Sequence, residues 1–180
     1  MSEYQYYEFQ AIDQLLTPQQ MEELRRLSSR AEITATSFTN TYNYGDFRGD
    51  PNALMRDYFD AHLYVANWGT HRLMFRLPRE LVDLAAMEAY AGEEGLGITG
   101  HKSCVVIDFD SQEEGGGEWE EGEGQLAGLI SLRSDLLRGD LRSLYLGWLA
   151  CAQAGEFEDD AEEPPLPAGF PKLTAALQTL

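Results

Sequence analysis

Residues 61–77, Ala-His-Leu-Tyr-Val-Ala-Asn-Trp-Gly-Thr-His-Arg-Leu-Met-Phe-Arg-Leu, constrain this chain more than any other stretch. They read as two strands around a tight turn. In the first, Leu63 and Val65 fall on one face and Tyr64, Ala66 and Trp68 on the other, so both faces are apolar. A strand of that kind is central and covered on both sides. The second alternates, with Leu73, Phe75 and Leu77 inward and Arg72, Met74 and Arg76 outward. Asn67-Trp68-Gly69 suits a type I turn followed by a glycine in the left-handed region, a common three-residue hairpin loop.

The flanking segments supply partners for this hairpin. Residues 4–13 are rich in aromatics and read as a first strand. Thr17, with Pro18 at the first helical position and Gln20 at the third, spells a capping box, and Met21, Leu24 and Leu27 form the stripe of the helix it opens. Residues 31–44 predict one long second strand. Asp50-Pro51 starts a second helix carrying Leu54, Met55, Tyr58 and Phe59. Pro78 introduces a third, and the glycines at 92, 95, 97 and 100 read as a flexible connection to a strong strand at 101–109. Leu126–Ile130 is either a short strand or an entry into helices. Leu132, Leu136 and Leu137 fit a short helix that stops at Gly139. Asp140 then caps a helix whose stripe is Leu141, Leu144, Tyr145, Trp148 and Leu149, with Leu146 apolar on roughly the opposite side. An acidic, proline-rich linker covers about 155–171, and Leu173, Leu177 and Leu180 begin a stripe that stops without a cap. That unfinished pattern predicts a longer natural chain, and Leu173–Leu180 is expected to fold back over part of the Leu146 surface.

The predicted organisation is a sheet core over 1–109, an acidic glycine-rich loop over 110–124, a helical part over 125–154 and a linker with the start of a further helix over 155–180. The fold class expected is α+β: a mainly antiparallel sheet with a ferredoxin-like, split β-α-β core, added helices and a helical C-terminal part. A chain of 180 residues buries about 70% of its unfolded surface and needs no staples.

The net charge of −18 is local. Eight acids fall within 108–123 and six within 156–163, with no base in either run; the remaining seventeen acids face thirteen bases, a net of −4. That balance argues against direct nucleic-acid binding, which needs a basic footprint, and is compatible with a basic protein partner. No run approaches the roughly 20 apolar residues of a membrane span. Cys104 and Cys151 lack metal-type spacing and read as reduced and buried, and the N-terminus lacks a signal core, so the expected compartment is the cytoplasm.

Chemistry-bearing residues are few. Asp108 and Asp110 flank Phe109 at a strand end, which puts both carboxylates on one face, where with Glu113 and Glu114 they could hold magnesium for nucleotidyl transfer or phosphodiester chemistry. The blander reading is a strand running into an acidic loop, and it is preferred, because no third acid or phosphate site accompanies the pair. His62, His71 and His101 lie in or beside strands, but no two share ligand spacing within one element, so no metal is assigned to them. Ser103-Cys104 lacks a nucleophile elbow, and no Gly-Lys-Ser/Thr ends the glycines at 92–100, so neither a catalytic residue nor a cofactor is expected. Trp68, His71, Arg72 and Arg76 lie at the hairpin tip and along its outer face, with the composition of an interface hot spot; they are the candidate partner-binding residues, weighed evenly against an ordinary packed tryptophan with surface arginines.

The opening Met-Ser-Glu-Tyr-Gln-Tyr-Tyr-Glu-Phe-Gln-Ala-Ile-Asp, the Asn43-Tyr44-Gly45-Asp46-Phe47 segment, Tyr58-Phe59-Asp60-Ala61 running to Asn67-Trp68-Gly69-Thr70, and Leu136-Leu137-Arg138-Gly139-Asp140-Leu141-Arg142 together resemble the N-terminal region of a bacterial family of larger, mostly uncharacterised proteins. The resemblance covers nearly all of the chain and brings no catalytic motif. A second resemblance, resting on no particular motif, is to accessory proteins of type III CRISPR loci, including the protein substrate of their caspase-like protease. It implies a role in defence through protein partners. The expected function is therefore a non-enzymatic protein–protein interaction or regulatory module whose partner is another protein, with the Asp108/Asp110 enzyme as the alternative.

Overall fold

The computed structural model describes residues 3–112 and 121–180. Its elements in chain order are β1 (Gln5–Gln10), α1 (Pro18–Leu27), β2 (Glu32–Ile33), β3 (Ser37–Tyr42), α2 (Pro51–Asp57), β4 (Ala61–Ala66), β5 (Thr70–Pro78), a 3-10 turn at Arg79–Leu81, α3 (Leu84–Glu88), β6 (Leu96–Gly100), β7 (Cys104–Gln112), α4 (Gln125–Leu129), α5 (Ser131–Leu137), α6 (Arg142–Ala154) and α7 (Ala175–Thr179). The strands form one seven-stranded sheet in the order β2-β3-β1-β4-β5-β7-β6. The fold is α+β with an antiparallel sheet, as the patterning predicts. The ferredoxin-like order is not what forms. A split β-α-β core needs helices that cross over between parallel strands. Here β1 is flanked by β3 and β4, and both run antiparallel to it.

The chain divides into two compact units, one of Met1–Phe75 with Ser111–Leu126, the other of Arg76–Asp110 with Ala127–Leu180. In the first, α1 begins at the expected capping box: the Thr17 hydroxyl accepts from Gln20 N at 3.2 Å and the Gln20 side chain accepts from Thr17 N at 2.8 Å. Asp50 caps α2 in the same manner, accepting from Asn52 N at 2.9 Å with Pro51 in the first turn. Residues 31–44 are not one strand. The Thr34 hydroxyl lies 2.7 Å from that of Ser37 and accepts from Thr36 N, which folds the segment into the β2–β3 hairpin with Ile33 opposite Phe38.

The β4–β5 hairpin forms as read. Gly69 sits at φ 90° and its N–H donates to Ala66 O at 3.0 Å. β4 lies between β1 and β5, and its Ala61, His62, Leu63, Val65 and Ala66 are buried from both faces. Met74, expected to face outward, is fully buried, because Phe9 and His62 stand in its row and the aromatics Phe47 and Phe59 close over that face. The opposite face bears Tyr6, Leu63 and Val65. It is met by the 121–126 segment, where Gly122 lies so close to the Tyr6 ring that a Cβ would stand 2.3 Å from Tyr6 Cδ1.

In the second unit the glycines at 95–100 do not make a flexible connection. Leu96–Gly100 is β6, paired with β7 from Leu96 opposite Phe109 to Gly100 opposite Val105. Leu96 is fully buried, and that one side chain fixes the strand. Pro78 leads into the 3-10 turn, and α3 starts only after Asp83, which accepts from Ala86 N at 3.1 Å. Leu126–Ile130 resolves as an entry into helices, and α5 stops at Gly139 (φ 81°) as predicted. Helix α6 buries part of the expected stripe, Leu144 and Tyr145, but not Leu149. Gly147 and Cys151 also face inward while Leu149 is 37% exposed; a Cβ at Gly147 would stand 2.9 Å from Leu96 Cδ2 and 3.0 Å from Phe109 Cε1, so only a glycine allows so close an approach on that side. The C-terminal segment does fold back, but α7 docks Ala176 and Leu177 on α5, and Leu146 stays half-buried. The expectation of a solvated loop at 110–124 falls largely on residues 113–120, outside the described residues. Among the described residues no helix is long and apolar enough to cross a membrane.

Candidate protein-interaction surface

The hairpin tip is stapled rather than loose. Asn67 N donates to Tyr4 O, and Tyr4 N donates to Asn67 Oδ1, both at 3.1 Å, so the turn is held against the start of β1. On this fixed turn Trp68 is 45% exposed. Strand register then sorts the other candidates. Arg72 stands opposite Tyr64, Tyr64 opposite Tyr7, and Tyr7 opposite Asn40, giving one row across four strands on one face. His71 stands opposite Val65 and points to the other face, so it does not join Arg72. Arg76 belongs to the second unit, where its carbonyl accepts from Arg133 Nε at 2.9 Å.

The row carrying Arg72 is an aromatic one. The Tyr7 ring lies 4.6 Å from Tyr64, 5.0 Å from Phe47 and 5.7 Å edge-on from Tyr42. All four rings are half-buried. The hydroxyls of Tyr7 and Tyr64 both donate to Gln5 Oε1, at 3.2 and 3.1 Å, and Gln5 Nε2 donates to Gly45 O at 3.2 Å. Burial, reinforced by Tyr64, pushes the Tyr7 phenol well above its ordinary range, so it stays neutral. Arg72 donates to Asn52 Oδ1 at 2.9 Å, which ties the strand to the first turn of α2. At the margin Tyr44 is 67% exposed, with the Arg30 guanidinium 5.3 Å from its ring centroid.

In the neighbouring row on the same face, His62 is fully buried and stacked 3.9 Å from Phe9. Its Nδ1 lies 2.8 Å from Glu8 O, a contact that only an N–H can make, and its Nε2 has no hydrogen-bond partner among the described residues. Burial pulls the imidazole down to about 3, against a smaller upward pull from the Glu8 carbonyl, so the ring is neutral. His62 and His71 face opposite sides of the sheet and cannot share an ion.

Asp108 and Asp110 share one side of β7, with Asp108 opposite Gly97. Among the described residues no three His, Cys, Asp or Glu side chains gather as a metal would require, while Glu113 and Glu114 lie outside the described residues. Cys104 and Cys151 are buried free thiols. Burial, aided by Glu156, pushes Cys151 up to about 11, which leaves it protonated and unreactive.

Sequence reasoning missed Tyr7 and Tyr64 as members of the row that carries Arg72, and Tyr42 and Phe47 as rings packed on Tyr7. A signal was available, since Tyr7 shares strand parity with Gln5 and Tyr64 with Ala66. What pairs them with Arg72, however, is the cross-strand register. No protein-family model, curated protein or solved structure matches this chain.

Proposed function

We propose that this chain is a non-enzymatic interaction module that docks another protein on the first unit, through Trp68, Arg72 and the half-buried tyrosines 7, 42 and 64. The observation that carries the reading is the Asn40–Tyr7–Tyr64–Arg72 row, in which each polar group is held by a neighbour while the rings keep an outward face. Tyrosine, tryptophan and arginine dominate interface hot spots because they offer large contact area together with polar handles. Fixing those rings before binding removes part of the entropy cost of association. The stapled turn fixes the backbone that carries Trp68.

The test is co-purification from the native host with the chain carrying Tyr64→Ala and Arg72→Ala, set beside the unaltered chain. The expected result is a stoichiometric partner that the double variant loses while it remains folded, its melting temperature lowered only by the truncated packing. Retention of the same partner by a folded double variant overturns the assignment of the surface. Absence of any stoichiometric partner across growth and stress conditions overturns the module reading itself.

A further inference from the structure

The second unit carries a feature that the proposed interaction surface does not use. Residues 163–167, Glu-Pro-Pro-Leu-Pro, run without helix or strand. Their conformation is nonetheless restricted. Proline fixes its own φ, and each residue before a proline is driven to the extended region, which here covers Glu163, Pro164 and Leu166. That combination favours polyproline II, a helix of three residues per turn. Burial follows the same period. Pro164 is buried and Pro167 half-buried, while Pro165 and Leu166 between them face outward, Leu166 at 60% exposure.

The inward side meets tyrosines. Tyr90 OH donates to Pro165 O at 2.6 Å, and Tyr145 OH donates to the Glu163 carboxylate. The two rings stand edge to face at 6.5 Å, and Tyr145 continues into Trp148 at 6.0 Å and Phe170 at 4.9 Å. Aromatic ridges whose hydroxyls donate to prolyl carbonyls are the chemistry by which grooves recognise polyproline II segments, since the carbonyls of such a helix carry no internal hydrogen bonds. The recess also extends past the segment. A cavity of about 400 Å³ stays open beside Pro167, lined by Tyr90, Leu141, Ala168 and the turn at Gly139.

We infer that the Tyr90/Tyr145 face of the second unit is a binding groove for proline-rich extended peptides, and that residues 163–167 occupy it as the chain's own ligand. The occupant that the groove selects is an acidic residue followed by Pro-Pro-x-Pro, the acid meeting Tyr145 and a prolyl carbonyl meeting Tyr90. The resident segment competes at the millimolar effective concentration of a short tether, so it lowers the affinity for an outside peptide without abolishing it.

The probe is a synthetic peptide of residues 160–168, titrated calorimetrically into the full chain and into the full chain carrying Pro164→Ser and Pro165→Ser. The expected result is saturable binding to the serine variant and binding about tenfold or more weaker to the unaltered chain. Adding Tyr90→Phe to the serine variant should remove most of that binding. A folded serine variant that ignores the peptide overturns the groove, as does one that binds equally well a peptide whose prolines are all serine. Should the serine variant fail to fold, Tyr90→Phe alone decides the matter by limited proteolysis with a glutamate-specific protease. Cleavage within 158–163 several-fold faster, at an unchanged melting temperature, supports an exchangeable strap. Cleavage that rises only in step with global unfolding shows the segment to be a fixed part of the core and overturns the inference.

Discussion

Lowering the pH should expose His62 as a stability liability that its neighbours cannot relieve. The imidazole is fully buried against Phe9, its one bonded nitrogen donates to Glu8 O, and burial holds its pKa near 3 against an ordinary value of 6.5. Because the folded state refuses the proton that the unfolded chain accepts below pH 6.5, the unfolded state binds more protons across the window from about 6.5 to 3. Stability contributed by this group is therefore complete above pH 6.5 and falls with decreasing pH, by about 1.4 kcal/mol per unit at full slope. Two units of acidification from pH 6.5 should thus cost roughly 2–3 kcal/mol, a large share of the about 5–15 kcal/mol that holds a typical domain. The assay is urea denaturation of the parent and of His62→Leu at intervals from pH 7.5 to 4.5, followed by far-UV circular dichroism. The leucine variant loses the Glu8 contact and also the unpartnered Nε2, so at pH 7.5 it should lie within about 2 kcal/mol of the parent. Its pH dependence should be shallower by the amount above. Imidazole resonances provide a direct check, with that of His62 unmoved down to about pH 4.5. Equal pH slopes for the two proteins, or titration of His62 near 6.5, would refute the reasoning.

Two further perturbations probe the second unit. The Glu156 carboxylate accepts from the amides of Glu93, Glu94 and Gly95 at 2.8, 3.1 and 2.8 Å; burial raises its pKa, but these donors and the Cys151 thiol outweigh it and leave it below the usual range. Glu156→Ala should cost about 2 kcal/mol at neutral pH, discounted for a half-exposed site. The difference from the parent should vanish as the pH falls through the depressed folded pKa, and hydrogen exchange at amides 93–95 should quicken at neutral pH; unchanged exchange would count against the clamp. Gly147→Ala places a Cβ 2.9 Å from Leu96 Cδ2 and 3.0 Å from Phe109 Cε1, and should destabilise by about 1–2 kcal/mol despite its better helix propensity. Gly128→Ala in α4 meets nothing within 4 Å and should stabilise by about 0.5–1 kcal/mol, so thermal melting of the pair separates close approach from backbone entropy.

Features decided within a few residues were legible in the sequence by itself. The Thr17–Gln20 box, the Asp50-Pro51 start, the Gly69 turn and the Gly139 stop each depend on donors, acceptors or φ values supplied by adjacent positions. The two-sided burial of β4 was legible for a related reason, since period-two alternation shows which faces are apolar. The opposed faces of His71 and Arg72 follow from the same parity, although the candidate surface grouped the two together. Other features needed the folded chain. A glycine-rich stretch became β6 because Leu96 and the backbone of β7 offered it a partner that lies beyond a local window. The inward face of α6 rotated toward Gly147, since a residue without a side chain allows closer approach than Leu149 does, and no stripe of apolar residues records that preference. The row that joins Tyr7, Tyr64 and Arg72 is set by cross-strand register, and the strap on Tyr90 and Tyr145 joins residues 75 and 18 positions apart in the chain. Local hydrogen bonds and alternation determine most of the elements that form, β6 excepted. Which side chains meet is decided by long-range pairing and packing, whose loop-closure cost and contact energy depend on the whole fold.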